Sequence, residues 1–316
     1  VRRWIFFFLR TNNNLLSLRF ILAKMLVLIN MAYSIRELAL SEFPVLLKEI
    51  PDPPKTLFCA GILSDPKNKL LAVVGARQYT QYGKDVCEKV ISGLRGFPIT
   101  IVSGLALGID SMAHRAALEN NLHTIAVPGS GLNPDVLYPR THLHLAEKIV
   151  FSGGALLSEF ANTFEAAPWA FPKRNRIMAG MCHATLVIEA EKKSGTLITS
   201  RLATEYNRDV FTIPGSIFSR NSEGPHMLIR LGATPITKSS DILEALGFQN
   251  GEIDATYIYE HLTEEERAIV KLLNTPLSRD ELIRKSMKNT WEINSLLIAM
   301  EIKGIITESM GEIRLS

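Results

Sequence analysis

The feature that most constrains the fold is a rhythm repeated from Leu70 to Leu246: a short apolar run, a Gly-containing loop, then an amphipathic segment. The apolar runs are Leu70–Gly75, Ile99–Gly104, His123–Gly129, Ala155–Glu159, Ala184–Ala190, Asp209–Gly215 and Ala233–Thr237. Between them lie helical patterns at 81–94, 110–120, 142–150, 175–181, 196–206, 225–231 and 239–246. Strands this apolar are buried on both faces by the helices between them, which predicts a parallel, doubly wound, Rossmann-like α/β sheet. A strand-to-strand spacing of roughly 25–30 residues is that of a βαβ crossover.

The flanks are organised differently. Pro51-Asp52-Pro53-Pro54 marks a turn-rich boundary, so the sheet domain is expected over 55–248 and a short helical lead-in over 31–54, at Ser34–Leu40 and Pro44–Ile50. Residues 1–30 are basic and apolar, but Arg10, Arg19 and Lys24 interrupt every run before it reaches the length of a membrane span. They are set aside as an N-terminal extension, with Met25 and Met31 as alternative starts. Residues 249–260 read as a linker. Residues 261–316 hold three helical patterns, Thr263–Leu273, Ser278–Met287 and Thr290–Lys303, and two β-rich pieces, Gly304–Glu308 and Glu312–Leu315, the layout of a winged helix.

Composition narrows the function classes. A hydrophobic share of 47% suits a globular chain with a large core and excludes disorder. Net charge is only +3, but residues 249–316 carry 8 basic against 12 acidic side chains, so a polyanion would bind the middle of the chain. Cys59, Cys87 and Cys182 show no C-x-x-C spacing, and no histidine pair has metal-ligand spacing. No metal or cofactor is expected, and the thiols fit a reduced cytoplasmic protein.

In an open parallel sheet, ligands bind beyond the carboxyl ends of the strands. The informative residues fall there: Gly75-Ala76-Arg77 after the first run, and Ser103-Gly104 through Gly108 and Asp110 after the second. Further on come Phe171-Pro172-Lys173-Arg174-Asn175-Arg176 and Lys193-Ser194-Gly195-Thr196. Glycines permit close backbone approach, and a helix start attracts anions. Cations beside a helix N-terminus oppose the macrodipole and call for a bound anion. Arg77, Lys173, Arg174, Arg176 and Lys193 would meet phosphates, with Phe171, Tyr79 and Trp169 as base-stacking candidates. Asp110 reads as a helix cap, His114 as a packed residue, and Tyr138 as an ordinary loop residue.

These stretches, with Val210-Phe211-Thr212-Ile213-Pro214-Gly215 and Gly232-Ala233, resemble the DNA-processing protein A (DprA/Smf) family over roughly 44–246. The resemblance implies an extended Rossmann-like fold that binds single-stranded DNA, protects incoming DNA, forms a homodimer and loads the RecA recombinase during natural transformation, without catalysis. Arg77 matches the arginine of the family's Gly-Ser-Arg motif, Ala76 replaces its serine, and Lys173, Arg174 and Arg176 match its basic run. The family's winged helix is matched, while the helix-hairpin-helix-like module that often precedes the sheet looks shortened. Self-association and the recombinase contact are expected around Phe218–Leu246, with Met227, Leu228 and Leu231 on one helix.

The competing class is a Rossmann-like nucleotide-binding or nucleotide-hydrolysing enzyme. Such hydrolases carry Pro-Gly-Gly-x-Gly-Thr-x-x-Glu; here Thr199 stands where that glutamate belongs. Gly75-Ala76-Arg77 is not G-x-G-x-x-G, which disfavours a dehydrogenase. The expected recognition helix of the winged module is acidic, with Glu292 and Glu301 against Lys303, so little DNA affinity is expected from it.

Overall fold

The computed structural model describes residues 33–248, 262–273, 277–286, 289–302, 305–309 and 311–315. The extension at 1–30 and the linker at 249–260 lie outside them. The chain divides into two compact units: the first runs to Arg95 and continues from Ile99 to Gly247, and the second takes Gly96–Pro98 together with the chain from Phe248 onward.

The first unit is built on nine strands. They are β1 (Ile35–Glu37), β2 (Phe58–Gly61), β3 (Lys69–Val74), β4 (Ile99–Ser103), β5 (His123–Ala126), β6 (Ala155–Ser158), β7 (Ala184–Val187), β8 (Asp209–Thr212) and β9 (Thr234–Pro235). Their order is β1-β2-β6-β5-β4-β3-β7-β8-β9. From β6 to β9 every pairing is parallel. The helices are α1 (Gln81–Ser92), α2 (Ile109–Glu119), α3 (Leu143–Phe151), α4 (Ala170–Met181), α5 (Thr196–Glu205), α6 (Glu223–Arg230) and α7 (Ser239–Ala245).

Alternation along the strands separates two cores. Cys59, Ile125, Val127 and Leu157 pack with Ile177, Met178 and Met181 of α4. Their neighbours Ala60, Ala126 and Leu156 pack with Leu145, Ala146 and Ile149 of α3. A period of two with both sets apolar is what a sheet covered on each face requires.

The lead-in departs from expectation. Ile35–Glu37 is a strand, not part of a helix, pairing antiparallel with β2, which in turn pairs antiparallel with β6. Only Val45–Glu49 and Leu40–Glu42 are helical, as short 3-10 turns. Pairing decides here: the free edge of β2 supplies hydrogen-bond partners that outweigh any local preference of Ile35–Glu37. α4 also begins five residues earlier than its pattern, at Ala170.

The second unit holds α8 (Glu264–Leu272), α9 (Arg279–Ser286) and α10 (Thr290–Ile302) with β10 (Leu277–Ser278), β11 (Ile306–Ser309) and β12 (Glu312–Leu315). The strands form an antiparallel sheet in the order β10-β12-β11. Its core joins Ile269, Leu282, Ile293, Leu297, Met300 and Ile313. No helix among the described residues is long and apolar enough to cross a membrane.

Candidate nucleic-acid interface

After β3 the chain runs to β4 on one side of it, and later returns to β7 on the other. The crevice between the two directions opens at the carboxyl ends of β3 and β7, where open α/β sheets bind ligands. A cleft of about 420 Å³ lies here, lined by Gly75–Gln78, Ala106, Asp110, Phe171, Pro172, Arg174, Asn175, Glu191 and Lys193–Thr196, among others.

The loop carrying Arg77 is fixed from below. Glu189, just past β7 and only 2% exposed, accepts the Thr80 N–H at 2.9 Å, the Thr80 hydroxyl, and Asn221 Nδ2 at 3.2 Å. Asn221 Nδ2 also donates to the Gln78 carbonyl at 3.0 Å. Thr80 caps α1 by accepting the Gly83 N–H at 3.1 Å. From the side, the Ile109 N–H donates to the Ala76 carbonyl at 3.2 Å. Gly108 makes that approach possible: its φ is +87°, and a Cβ there would lie 2.3 Å from the Ala76 oxygen.

So held, Arg77 is exposed and makes no ion pair among the described residues. Its guanidinium stands 5.5 Å from the Phe171 ring centroid, and Phe171 is 5.4 Å from Tyr138. Opposite, α5 begins at Thr196 with no acidic residue in its first turn and no side-chain cap from Gly195. The Thr196 hydroxyl donates to the Gly75 carbonyl at 3.0 Å, and Ser194 Oγ accepts the Thr196 N–H at 3.2 Å. Exposed Lys193 stands beside this partly positive helix start. A cation, an aromatic face and a helix N-terminus in one cleft suit a phosphate with a base attached.

Two of the cations expected on the rim turn inward. Arg174 is 4% exposed; its guanidinium donates to the Gly104 carbonyl at 2.6 Å and to the Val127 carbonyl. It faces Asp110, which caps no helix but accepts the Gly104 N–H at 3.1 Å. Burial lowers the Arg174 pKa to about 10 against the pull of Asp110. Burial also raises the Asp110 carboxyl, opposed by Arg174 and the loop N–H groups. Arg176 is tied to Glu159 and, from Nε, to Asp52 at 3.3 Å. Partners from distant elements, invisible in the local charge run, draw both side chains in.

The remaining expected residues divide similarly. Ser103 is buried with its hydroxyl on the Val73 carbonyl at 2.7 Å. Gly104 leaves room for Arg174, whose Nη1 lies 2.3 Å from where a Cβ would be. Asn175 lines the cleft while its Oδ1 accepts from Arg174 Nε at 3.2 Å. Gly75 and Gly195 line the cleft; Gly195 alone of the two faces open space. Buried His114 bonds Thr124 Oγ1 at 2.7 Å, and burial pushes its pKa down to about 3. Lys173 and Trp169 lie outside the cleft lining, with the Lys173 ammonium 3.6 Å from Glu159. Sequence reasoning missed Glu189, Asn221 and the stack onto Tyr138; a lone carboxylate closing the apolar run Ala184–Ala190 was the available signal for Glu189. Among the described residues no group of His, Cys, Asp and Glu has the arrangement of a metal site.

A family model described as DNA recombination-mediator protein A matches residues 36–247. The chain belongs to that family. The matched stretch covers the nine-stranded unit and with it every wall of the cleft. Within the DNA recombination-mediator protein A family, the chain is 44% identical over 209 residues to Protein Smf of Escherichia coli, covering 66% of this chain and 55% of that protein. It is 45% identical over 206 residues to DNA processing protein DprA of Streptococcus pneumoniae, covering 65% of this chain and 72% of the relative. The Streptococcus pneumoniae DprA structure superposes with a TM-score of 0.61 at 40% identity, covering 69% of this chain and 75% of that one. A Helicobacter pylori DNA processing protein A, whose structure concerns its single-stranded DNA binding mode, gives a TM-score of 0.59 at 27% identity, covering 68% and 96%.

Proposed function

We propose that this chain binds single-stranded DNA across the cleft at the β3/β7 switch point, without catalysis, as a DNA-processing protein of natural transformation. One observation carries the reading: Arg77, with no ion pair among the described residues, is presented over the Phe171 ring in the same cleft as the start of α5. Arg77 and Lys193 meet phosphates, Phe171 and Tyr138 take a base, and Gly75, Ser194, Gly195 and Thr196 let the backbone approach. Ser103, Gly104, Gly108, Arg174, Asn175 and Arg176 build the cleft rather than touch the strand. The single-stranded DNA binding studied in the Helicobacter pylori relative supports the choice of ligand.

The non-catalytic reading is supported by the cleft's carboxylates. Of the carboxylates lining the cleft, Asp110 is locked onto a loop N–H and Glu191 is exposed at its edge, while buried Thr199 stands where hydrolases of this kind carry their glutamate. The rest of the proposal is a homodimer that passes the strand to the RecA recombinase in the cytoplasm, with the second unit serving as a winged helix. The family's description as a recombination mediator supports the recombinase step. Ile217, Phe218 and Leu231, at 81%, 93% and 75% exposure, support a contact surface there; Leu228 instead packs into the core.

The test is fluorescence anisotropy with labelled single- and double-stranded oligonucleotides across a salt series. Tighter, salt-dependent binding of the single strand is expected. Equal affinity for duplex at matched salt, or indifference to salt, overturns the proposal.

A further inference from the structure

The opening turn of α4 carries two cation–aromatic pairs, and the cleft uses only one of them. Phe171 and Lys173 are two residues apart, about 200° around a helix, so they leave α4 on opposite sides. Phe171 enters the cleft beneath Arg77. Lys173 turns away, its ammonium 5.6 Å from the Phe160 centroid and 6.0 Å from that of Trp169.

We propose that Trp169 and Lys173 form a second nucleotide station outside the cleft, which stacks a base of the bound single strand on the indole and takes a phosphate on the ammonium. The proposal rests on the single-strand reading of the cleft. Three observations support it.

Trp169 is 56% exposed, an unusual cost for the largest apolar side chain unless something covers it. It is nevertheless held in place. Its ring packs on Phe160 at 5.8 Å and on Phe164 at 5.4 Å, and those two stack on each other at 4.6 Å. A stacking platform fixed before binding loses little freedom when a base arrives.

The charge is also arranged for an anion. Glu159 has a side chain only 7% exposed, and its Oε2 is shared by Arg176 and, at 3.6 Å, by Lys173, so one buried carboxylate faces two cations; the Lys173 side chain is 46% exposed. Asp52 is exposed but pairs with Arg176. Of the two cations on Glu159, Lys173 is the one turned toward solvent, beside the exposed indole. Finally, the pair repeats the chemistry of Arg77 over Phe171, and proteins that follow a single strand use successive stations of this kind.

The experiment uses the full chain with Trp4→Phe and Trp291→Phe, which leaves Trp169 as the single tryptophan. Labelled oligothymidylate of about twenty nucleotides is titrated while anisotropy and tryptophan emission are both followed. Quenching of Trp169 along the anisotropy isotherm is expected. Saturable binding with unchanged Trp169 emission overturns the station and leaves the cleft reading standing; no binding by anisotropy overturns both. In parallel, Trp169→Ala should weaken binding about 5- to 150-fold, the range of one lost base stack, and Trp169→Phe should recover most of it. Wild-type affinity in Trp169→Ala overturns the station, as does a loss in Trp169→Ala that Trp169→Phe fails to recover. Lys173→Ala should lower the log–log salt slope by about 0.7.

Discussion

Replacing Arg174 with Met keeps the volume and removes the charge, and the expected consequence is lost stability rather than one lost phosphate contact. Arg174 is 4% exposed and Asp110 is 6% exposed. The substitution strips hydrogen bonds from the Gly104 and Val127 carbonyls and leaves the Asp110 carboxyl without its buried counter-charge. Removing one partner of a buried pair costs about 3–5 kcal/mol, and a unit of this size loses about 2–4 °C per kcal/mol, giving a fall in melting temperature of about 6–20 °C. Thermal unfolding followed by circular dichroism measures it, with Asp110→Asn and the double variant completing a cycle; the double variant should be more stable than Arg174→Met alone. The pH dependence has a definite sign. Burial raises the folded Asp110 pKa above its unfolded value, so its ionised form costs stability at neutral pH and that cost fades as pH falls through the folded pKa. Without Arg174 the cost is larger, so the gap between variant and wild type should narrow on acidification. A melting temperature within about 2 °C of wild type, together with a tenfold loss of single-strand affinity, would refute this assignment and make Arg174 a DNA contact.

Arg77→Ala should weaken single-strand binding and lower the log–log salt slope by about 0.7, with melting unchanged, as anisotropy and calorimetry would show. Gly108→Ala should destabilise by about 1–3 kcal/mol or more in chemical denaturation, because φ is +87° and the Ala76 oxygen lies 2.3 Å from the new Cβ. Gly195→Ala, which meets nothing within 4 Å, should stay within about 0.5 kcal/mol of wild type in the same assay. Deleting residues 251–316 should leave single-strand affinity within about threefold, or roughly 0.7 kcal/mol, by anisotropy. Arg279 of that unit is already committed to Glu308 and to Asn294 at 3.1 Å, and exposed Trp291 is flanked by Glu292.

Strands β3 to β8 were legible because most of their residues are buried on both faces, which writes a largely apolar run into the chain. The cleft was legible as a place because strand ends in such a sheet converge. What hid was the direction of individual side chains. Lys173, Arg174 and Arg176 read as one basic run, yet Glu159 and Asp52 claim Arg176, and the Gly104 and Val127 carbonyls claim Arg174. Those partners lie far along the chain, so no local pattern announces them. The start of α4 was misplaced because Pro172 looks like a break. At the third helical position its missing N–H removes nothing that the first turn would have bonded. β1 was hidden by length: three residues, two of them charged, carry no periodicity.

The place of β2 in the sheet sets a timetable for the growing chain. β2 is made before β3, yet one of its neighbours is β6, with Phe58 opposite Ser158. Bringing together segments about 100 residues apart costs about 4 kcal/mol in chain entropy beyond a constant, repaid only when that ladder forms. At about 5–20 residues per second, the ribosome takes roughly 5–20 s to deliver β6 after β2. During that interval the β2 edge that will meet β6 has its backbone groups open to other chains. Among the described strands, the β1–β2 ribbon is thus the first pair synthesised, yet it waits for half the sheet domain before it can dock, which makes synthesis a stage at which this edge is open to aggregation.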